Sequence, residues 1–377
     1  MKAYLFRIYF KLIMFLLKFV GTDNNLYVIL NEAGRSGSNG FIFYRYLKKY
    51  HPELDVVLVE PWPSAHLAFK TWLKIGRAKH IFTTHQPFKI KSKQVLSCFW
   101  HGIPLKKMAL MSNNTSYKSD CRNIKSWQKA DYISSSSSLY ETLMTSCISV
   151  KASKYVRTGF PRIDALYNPD VTKADVLKQY FNVTDVTAKI GVYMPTFRYE
   201  LEDDSIMDKI SRGNFFAFDY FDLSKLEQVL QKKNKYLIVK LHPYEMKKID
   251  EKCKKYDHIY FLKDIDLFKF NYDMYDLLGN TDFLITDFSS VYFDYLHLDK
   301  PIYFVTNFLK EYEKTRGLLM GPYADIVPGA KINTFVELLD ILENDTDTFA
   351  HARRQWLNMT YEIDFQQNCK RCFDALK

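Results

Sequence analysis

Short apolar runs, mostly of four to six residues, punctuate this 377-residue chain, with polar or amphipathic stretches between them. The runs at 26–30, 55–59, 80–84, 94–100, 131–135 and 155–157 read as short buried strands. Segments 41–50 and 68–75 carry helical spacing, and a Gly/Ser-rich loop spans 31–40. The pattern restarts near residue 189, with strands predicted at 189–194, 236–241, 259–261, 283–286 and 301–305 and a helix at 223–232. Strands alternating with helices argue for parallel sheets built from βαβ units. A polar stretch at 168–187 separates the two series. The expected organisation is therefore a helix at 1–21, a Rossmann-like domain at 22–185 and a second at 186–377. Two such halves facing each other would leave a ligand cleft at the carboxyl ends of their strands.

The first twenty residues need separate treatment. Residues 3–20 are mostly Leu, Ile, Phe, Tyr and Met, interrupted by Arg7, Lys11 and Lys18. On a helix these cations fall within about 40° of one another. A spanning helix would not carry that stripe, since each central charge costs about 2.5–3.5 kcal/mol. No small-x-small cleavage site follows Phe19, which argues against a signal peptide. The pattern suits an amphipathic, membrane-associating helix lying in the bilayer surface. A helix packed on its own domain is the other reading of the same residues.

Composition narrows the function classes. Hydrophobic residues make up 47% and aromatics 16%, enough for well-formed cores and inconsistent with disorder. At this length two domains are the default. The net charge of +10 favours anionic partners. Its basic residues are dispersed rather than gathered in an aromatic-studded stripe, which argues against a nucleic-acid-binding protein. Cys98, Cys121, Cys147, Cys253, Cys369 and Cys372 show no disulfide framework, and the single C-x-x-C at 369–372 lacks a second pair. Reduced thiols of a cytosolic protein are expected.

Chemistry-bearing residues sit at or just beyond the predicted strand ends. The segment Asp282-Phe-Leu-Ile-Thr-Asp-Phe-Ser-Ser-Val-Tyr-Phe-Asp-Tyr295 places Thr286, Asp287, Ser289 and Ser290 between a strand and a helix. Backbone N–H groups, hydroxyls and a helix start can bind a phosphate there. Taken alone, Ser289 or Ser290 reads more readily as a helix cap. His101, in a tight turn before Gly102 and Pro104, is placed to take a proton from an alcohol, with Lys106 and Lys107 to orient an anion. His242 ends a strand before Pro243, and Lys240 and Arg198 complete a second cluster for phosphoryl oxygens. Asp282, Asp287 and Asp294 match no metal-binding spacing, so no metal site is expected. Gly34, Gly37 and Gly40 follow G-x-x-G-x-x-G rather than the dinucleotide fingerprint, which excludes a nicotinamide enzyme and leaves an open loop.

The ordered set Trp100-His-Gly-Ile-Pro-Leu-Lys-Lys107, Gly159-Phe-Pro-Arg-Ile-Asp164, Met194-Pro-Thr-Phe-Arg198, Leu241-His-Pro243 and the 282–295 segment resembles the CDP-glycerol glycerophosphotransferase family. Residues 308–317, with Glu311, Tyr312 and Arg316, resemble a further family element. The likeness spans residues 95–335. It implies an α/β, GT-B-like architecture and transfer of a polyol phosphate from a CDP-activated donor with release of CMP. The family's paired histidines map onto His101 and His242. Its phosphate-binding turn maps onto Thr286, Ser289 and Ser290, with Asp287 between them and Arg198, Lys240 and Arg316 as further donor contacts. Gly34, Gly37, Lys106, Lys107, Arg162 and Asp164 are expected to bind or orient the acceptor.

The amphipathic start resembles primase-like members that add the first unit to an undecaprenyl-linked disaccharide. A peripheral enzyme on the cytoplasmic face of the cell membrane is implied, with CDP-glycerol and a lipid-linked saccharide as partners and no cofactor. The alternatives are a CDP-ribitol-dependent, polymerising or capsular transferase, and a nucleotide-sugar glycosyltransferase of the same fold.

Overall fold

In the computed structural model of the chain, residues 2–64, 67–113, 115–201, 203–249 and 256–376 are described, with side chains from Tyr9 onward except that of Glu200. The Arg7 side chain and Cys253 lie outside the described residues. The chain folds into two compact units. One comprises Met1–His101, Thr115–Asp164 and Ile363–Lys377; the other comprises Gly102–Asn114 and Ala165–Glu362.

The first unit is built on a six-stranded parallel sheet ordered β2-β1-β3-β4-β5-β6. Its strands are β1 (Asp23–Leu30), β2 (Asp55–Val59), β3 (Ala78–Thr83), β4 (Val95–Cys98), β5 (Tyr132–Ser134) and β6 (Tyr155–Val156). Parallel sheets are covered on both faces, which is why these strands read as apolar runs rather than alternating ones. Parallel pairing also brings the carboxyl ends of all six strands to one edge. The loops starting at Asn31, Thr84, Phe99 and Ser135 therefore open along that edge.

The second unit repeats the plan with β12-β11-β10-β7-β8-β9. These strands are β7 (Lys189–Met194), β8 (Lys235–Val239), β9 (Ile259–Phe261), β10 (Phe283–Thr286), β11 (Ile302–Val305) and β12 (Ala330–Ile332). The middle of this sheet is tightly packed. A Cβ on Gly191 would sit 2.1 Å from the Phe283 ring, so no larger residue fits there without displacing it.

Four features depart from the expected organisation, the first being that Gly102–Asn114 belongs to the second unit. The helix Lys173–Phe181 occupies the polar stretch expected to separate the domains, and a Thr172–Asp175 capping box starts it. Gln179 and Tyr180 bond the Tyr272 hydroxyl, which ties this helix to the second unit. The carboxyl-terminal residues return to the first unit: Asp164 accepts from Asn368 N, Asn368 Nδ2 and Cys369 N. Strand β12 escaped the sequence pattern because three residues with Lys331 at their centre form no apolar run.

Helix α1 (Lys2–Leu17) packs one side against its own domain. Ile13 and Leu17 are buried in a core with Trp62, Trp72 and Ile75. Phe10 meets the Trp72 ring edge-on at 5.6 Å. Its outer side nevertheless exposes Tyr9, Leu12, Phe15 and Leu16, with Phe19 just beyond it. Among the described residues no helix is long and apolar enough to cross a membrane.

Candidate active site

Within the first unit the site is built around the turn that follows β4. Trp100 and Gly102 take φ of 57° and 100°, so the chain reverses sharply at His101. Two buried side chains hold this turn by its carbonyls. Asn39 Nδ2 donates to Trp100 O at 2.6 Å, and Arg162 Nη2 donates to His101 O at 2.8 Å. Arg162 N in turn donates to Asn39 Oδ1, and Arg162 Nη1 reaches Gly37 O. Arg162 was expected to bind or orient the acceptor. At 6% exposure or less, Arg35 and Arg162 are structural cations, and Arg162 orients His101 through the backbone.

The glycine-rich loop serves the same end. Gly34 and Gly37 have φ of 58° and 89°, which lets 31–38 fold back on Asn31. Asn31 Nδ2 donates to Gly34 O and to Glu60, and Arg35 closes the network on Glu60. Asp164, also expected at the acceptor, instead anchors the carboxyl-terminal helix Asn368–Asp374. Half-buried His101 presents its ring beside Trp100 at 3.9 Å and His85 at 4.5 Å.

In the second unit the loops after β7, β8, β10 and β11 carry the candidates. His242 is exposed, stacks on Phe197 at 3.9 Å and caps the short helix Pro243–Met246. Its Nδ1 accepts from Tyr244 N at 3.3 Å. A neutral ring with an occupied Nδ1 acceptor carries its proton on Nε2, which makes Nε2 a hydrogen-bond donor to solvent or to a phosphoryl oxygen. Phe197, which packs on this imidazole, forms one aromatic cluster with Tyr199 and Tyr244.

Several expected phosphate ligands are inside the protein. Arg198 is 0% exposed. Its N, Nε and Nη2 bond the Glu245 carboxylate, and Nη1 bonds Phe215 O and the Tyr193 hydroxyl. Thr286 Oγ1 donates to Met194 O. Asp287 accepts from Thr196 N and Oγ1, and burial pushes its pKa up to about 6. Lys240 is spent on Asp264 at 2.6 Å. These four groups bond within the protein and shape the loops from below. Glu245, two residues beyond the Leu241-His-Pro243 motif, was not singled out from the sequence.

Ser289 and Ser290 remain half-exposed at the mouth of the β10 loop. Ser290 makes no side-chain cap, and the helix it starts, Val291–Tyr295, is five residues long. Its dipole is correspondingly small, so the hydroxyls themselves are the useful donors.

The loop carrying Lys106 and Lys107 belongs to the second unit, bridged to Leu318 and hydrogen-bonded from Lys107 N to Gly317 O at 3.1 Å. Gly317 has φ of 69°, and the Lys107 stem packs where its Cβ would lie. This pairing puts Lys107 and Arg316, from motifs about two hundred residues apart, into the wall of one cavity of about 920 Å³. Lys314 adds a third cation, Asp203 and Asp204 face them, and Tyr199 connects the cavity to the His242 cluster.

Among the described residues no three His, Cys, Asp or Glu side chains gather as metal ligands. Asp282 bonds Ile190 N and Lys173, and Asp294 accepts from the Tyr275 hydroxyl. Cys369 and Cys372 are free buried thiols, and burial pushes Cys372 up to about 12.

Known proteins supply an independent comparison. Residues 12–372 match the family model described as CDP-glycerol:poly(glycerophosphate) glycerophosphotransferase. A teichoic acid glycerol-phosphate primase of Bacillus subtilis strain 168 is 30% identical over 74% of this chain and 68% of its own length. A teichoic acid glycerol-phosphate transferase of Staphylococcus aureus is 29% identical over 66% of this chain and 61% of its length. A ribitol-phosphate polymerase from the same organism is 27% identical, and the match covers 46% of it. The chain thus spans between about half and two thirds of these relatives. The wall teichoic acid polymerase TagF has the same GT-B-like fold, with a TM-score of 0.75 and 21% identity over 96% of this chain and 91% of that one. A TagF variant has been solved after soaking with CDPG. By sequence and fold, the chain belongs to the CDP-glycerol:poly(glycerophosphate) glycerophosphotransferase family.

Proposed function

We propose that this chain transfers glycerol phosphate from CDP-glycerol to a hydroxyl of a membrane-linked, undecaprenyl-diphosphate saccharide in teichoic acid synthesis, releasing CMP. The observation that carries the reading is the union of Lys107 and Arg316 in one cavity beside Tyr199 and the His242 cluster. That is a site for a nucleotide-linked anion. The acceptor oxygen attacks the β-phosphorus, a new P–O bond forms, and the bond from that phosphorus to the bridging oxygen breaks. His101 receives the acceptor's proton, while CMP departs as a phosphate stabilised by surrounding donors. His242 Nε2, Ser289, Ser290, Lys107 and Arg316 are the donors. Phosphoryl transfer needs positioning and charge stabilisation more than covalent chemistry, and this set supplies both.

Donor choice is tested by protection against thermal unfolding with CDP-glycerol, CDP-ribitol and UDP-sugars. CDP-glycerol is expected to raise the midpoint most. In Lys107→Ala/Arg316→Ala the protection shrinks while the unliganded midpoint stays put, since both side chains reach solvent. Stronger protection by CDP-ribitol would reassign the polyol, and protection by a UDP-sugar alone would overturn the reading.

The apolar outer side of α1, flanked by exposed Lys11 and Lys18, supports binding in the surface of an anionic membrane. The protein is expected to co-sediment with phosphatidylglycerol vesicles and to lose most binding in Leu12→Glu/Phe15→Glu. Equal recovery of both proteins with the vesicles would count against this placement.

A further inference from the structure

His85 stands out among side chains that no motif singled out. It follows β3 at the same sheet edge as the His101 turn, since β3 and β4 pair in parallel. Its imidazole lies nearly parallel to that of His101, with centroids 4.5 Å apart and planes inclined by 27°. The ring is held from its other end: Nδ1 lies 3.1 Å from Thr84 Oγ1 and 3.9 Å from Glu32 Oε2. Glu32 is itself fixed, receiving Gln86 N on its carboxylate and donating its own N–H to Thr84 Oγ1. Cys98 Sγ donates to the His85 carbonyl. A residue merely filling space beside the turn would not need this set of polar anchors.

We propose that His85 is a positioning residue for His101, stacking against its imidazole to set the plane of the ring and to support the positive charge that forms when the acceptor hydroxyl gives up its proton. The proposal rests on His101 being the general base. Two flat rings in contact restrict rotation about the His101 side-chain torsions, and a general base must point its lone pair at one oxygen. His85 must stay neutral to support that charge. Burial, with the Arg162 cation adding to it, holds His85 down at about 4, so it meets a protonated His101 as a neutral π face and not as a second cation. Burial pushes the Glu32 carboxyl up to about 7, so near neutrality it carries part of a negative charge beside His85. Arg162 is the opposing cation, with its guanidinium directed to the His101 and Gly37 carbonyls. Thr84 and Cys98 complete the surroundings as neutral groups.

The test uses the full-length protein and the variants His85→Asn, His85→Phe and His101→Ala. Asparagine removes the stacked ring but keeps a polar side chain; phenylalanine keeps a stacked ring but removes the anchor nitrogen. His85→Asn is expected to lower kcat for CMP release roughly ten- to a hundredfold with the KM for CDP-glycerol kept, and His85→Phe to restore most of it. In proton NMR the His101 ring signals should move downfield in His85→Asn, as the ring current of the neighbour is lost, and not in His85→Phe. An inactive His101→Ala alongside a fully active His85→Asn would overturn this proposal alone, as would a phenylalanine variant no better than the asparagine one. Wild-type turnover by His101→Ala would overturn the base assignment and this proposal together.

Discussion

Replacing His101 by alanine is expected to lower CMP release by about 10²–10⁴-fold, the usual contribution of a positioned general base. The expectation comes from how much structure is invested in this turn. Trp100 takes a left-handed backbone conformation that bulky residues avoid, and Asn39 and Arg162 are buried for the sake of two backbone carbonyls. The imidazole itself is half-buried and contributes little to the core, so the variant should unfold at a near wild-type midpoint. Asn39→Ala should act in the same direction more weakly, because it loosens the turn and leaves the base in place. Initial rates of CMP formation with saturating CDP-glycerol measure both. A His101→Ala protein within threefold of wild type would remove the residue from the mechanism.

The second large effect is on stability. Arg198→Met is expected to cost about 3–5 kcal/mol, the range for removing one partner of a fully buried ion pair. Glu245, also 0% exposed, would be left without its counter-ion, and Phe215 O and the Tyr193 hydroxyl would lose a donor. The penalty should depend on pH with a definite sign. A buried carboxylate without a cation has a folded pKa above its unfolded value, so the folded variant takes up a proton that the unfolded chain does not. Stability is then recovered on acidification and lost as pH rises through the folded pKa. Asp287, already pushed up to about 6 by burial, acts in the same sense and loses the Arg198 charge that lowers it. Urea midpoints at pH 5 and pH 8 should therefore differ more in Arg198→Met than in wild type, with pH 8 the less stable. The double variant Arg198→Met/Glu245→Leu should regain most of the loss, because it removes both charges. A single variant as stable as wild type at pH 8 would show that the pair contributes nothing.

How far the sequence carried these conclusions varies with the kind of signal. Eleven of the twelve strands were legible because parallel strands covered on both faces read as apolar runs. The twelfth has Lys331 at its centre and makes none. His101, His242, Ser289 and Ser290 were legible because each stands at the end of such a run, where ligands of α/β folds gather. Arg198, Lys240, Thr286 and Asp287 stand there too, yet the structure turns them inward. A sequence shows that a cation follows a strand, but not that Glu245 waits to neutralise it 47 residues later. Asp164 is a similar case: its partners lie 204 and 205 residues away in a helix that rejoins the first unit. His85 carried the same strand-end signal as His101, with Pro87 two residues on, and was missed because it lies outside every motif that carried the family resemblance. The Lys107–Arg316 union depends on a two-residue bridge between distant loops, a contact that no local pattern announces.

The most direct test is product analysis with purified protein, CDP-glycerol and a defined undecaprenyl-linked saccharide. Stoichiometric CMP is expected, with an acceptor heavier by one or more glycerol phosphate units, joined through a new phosphodiester seen by phosphorus NMR and mass spectrometry. An unmodified acceptor in the presence of CDP-glycerol, with a glycosidic product from a UDP-sugar, would contradict it.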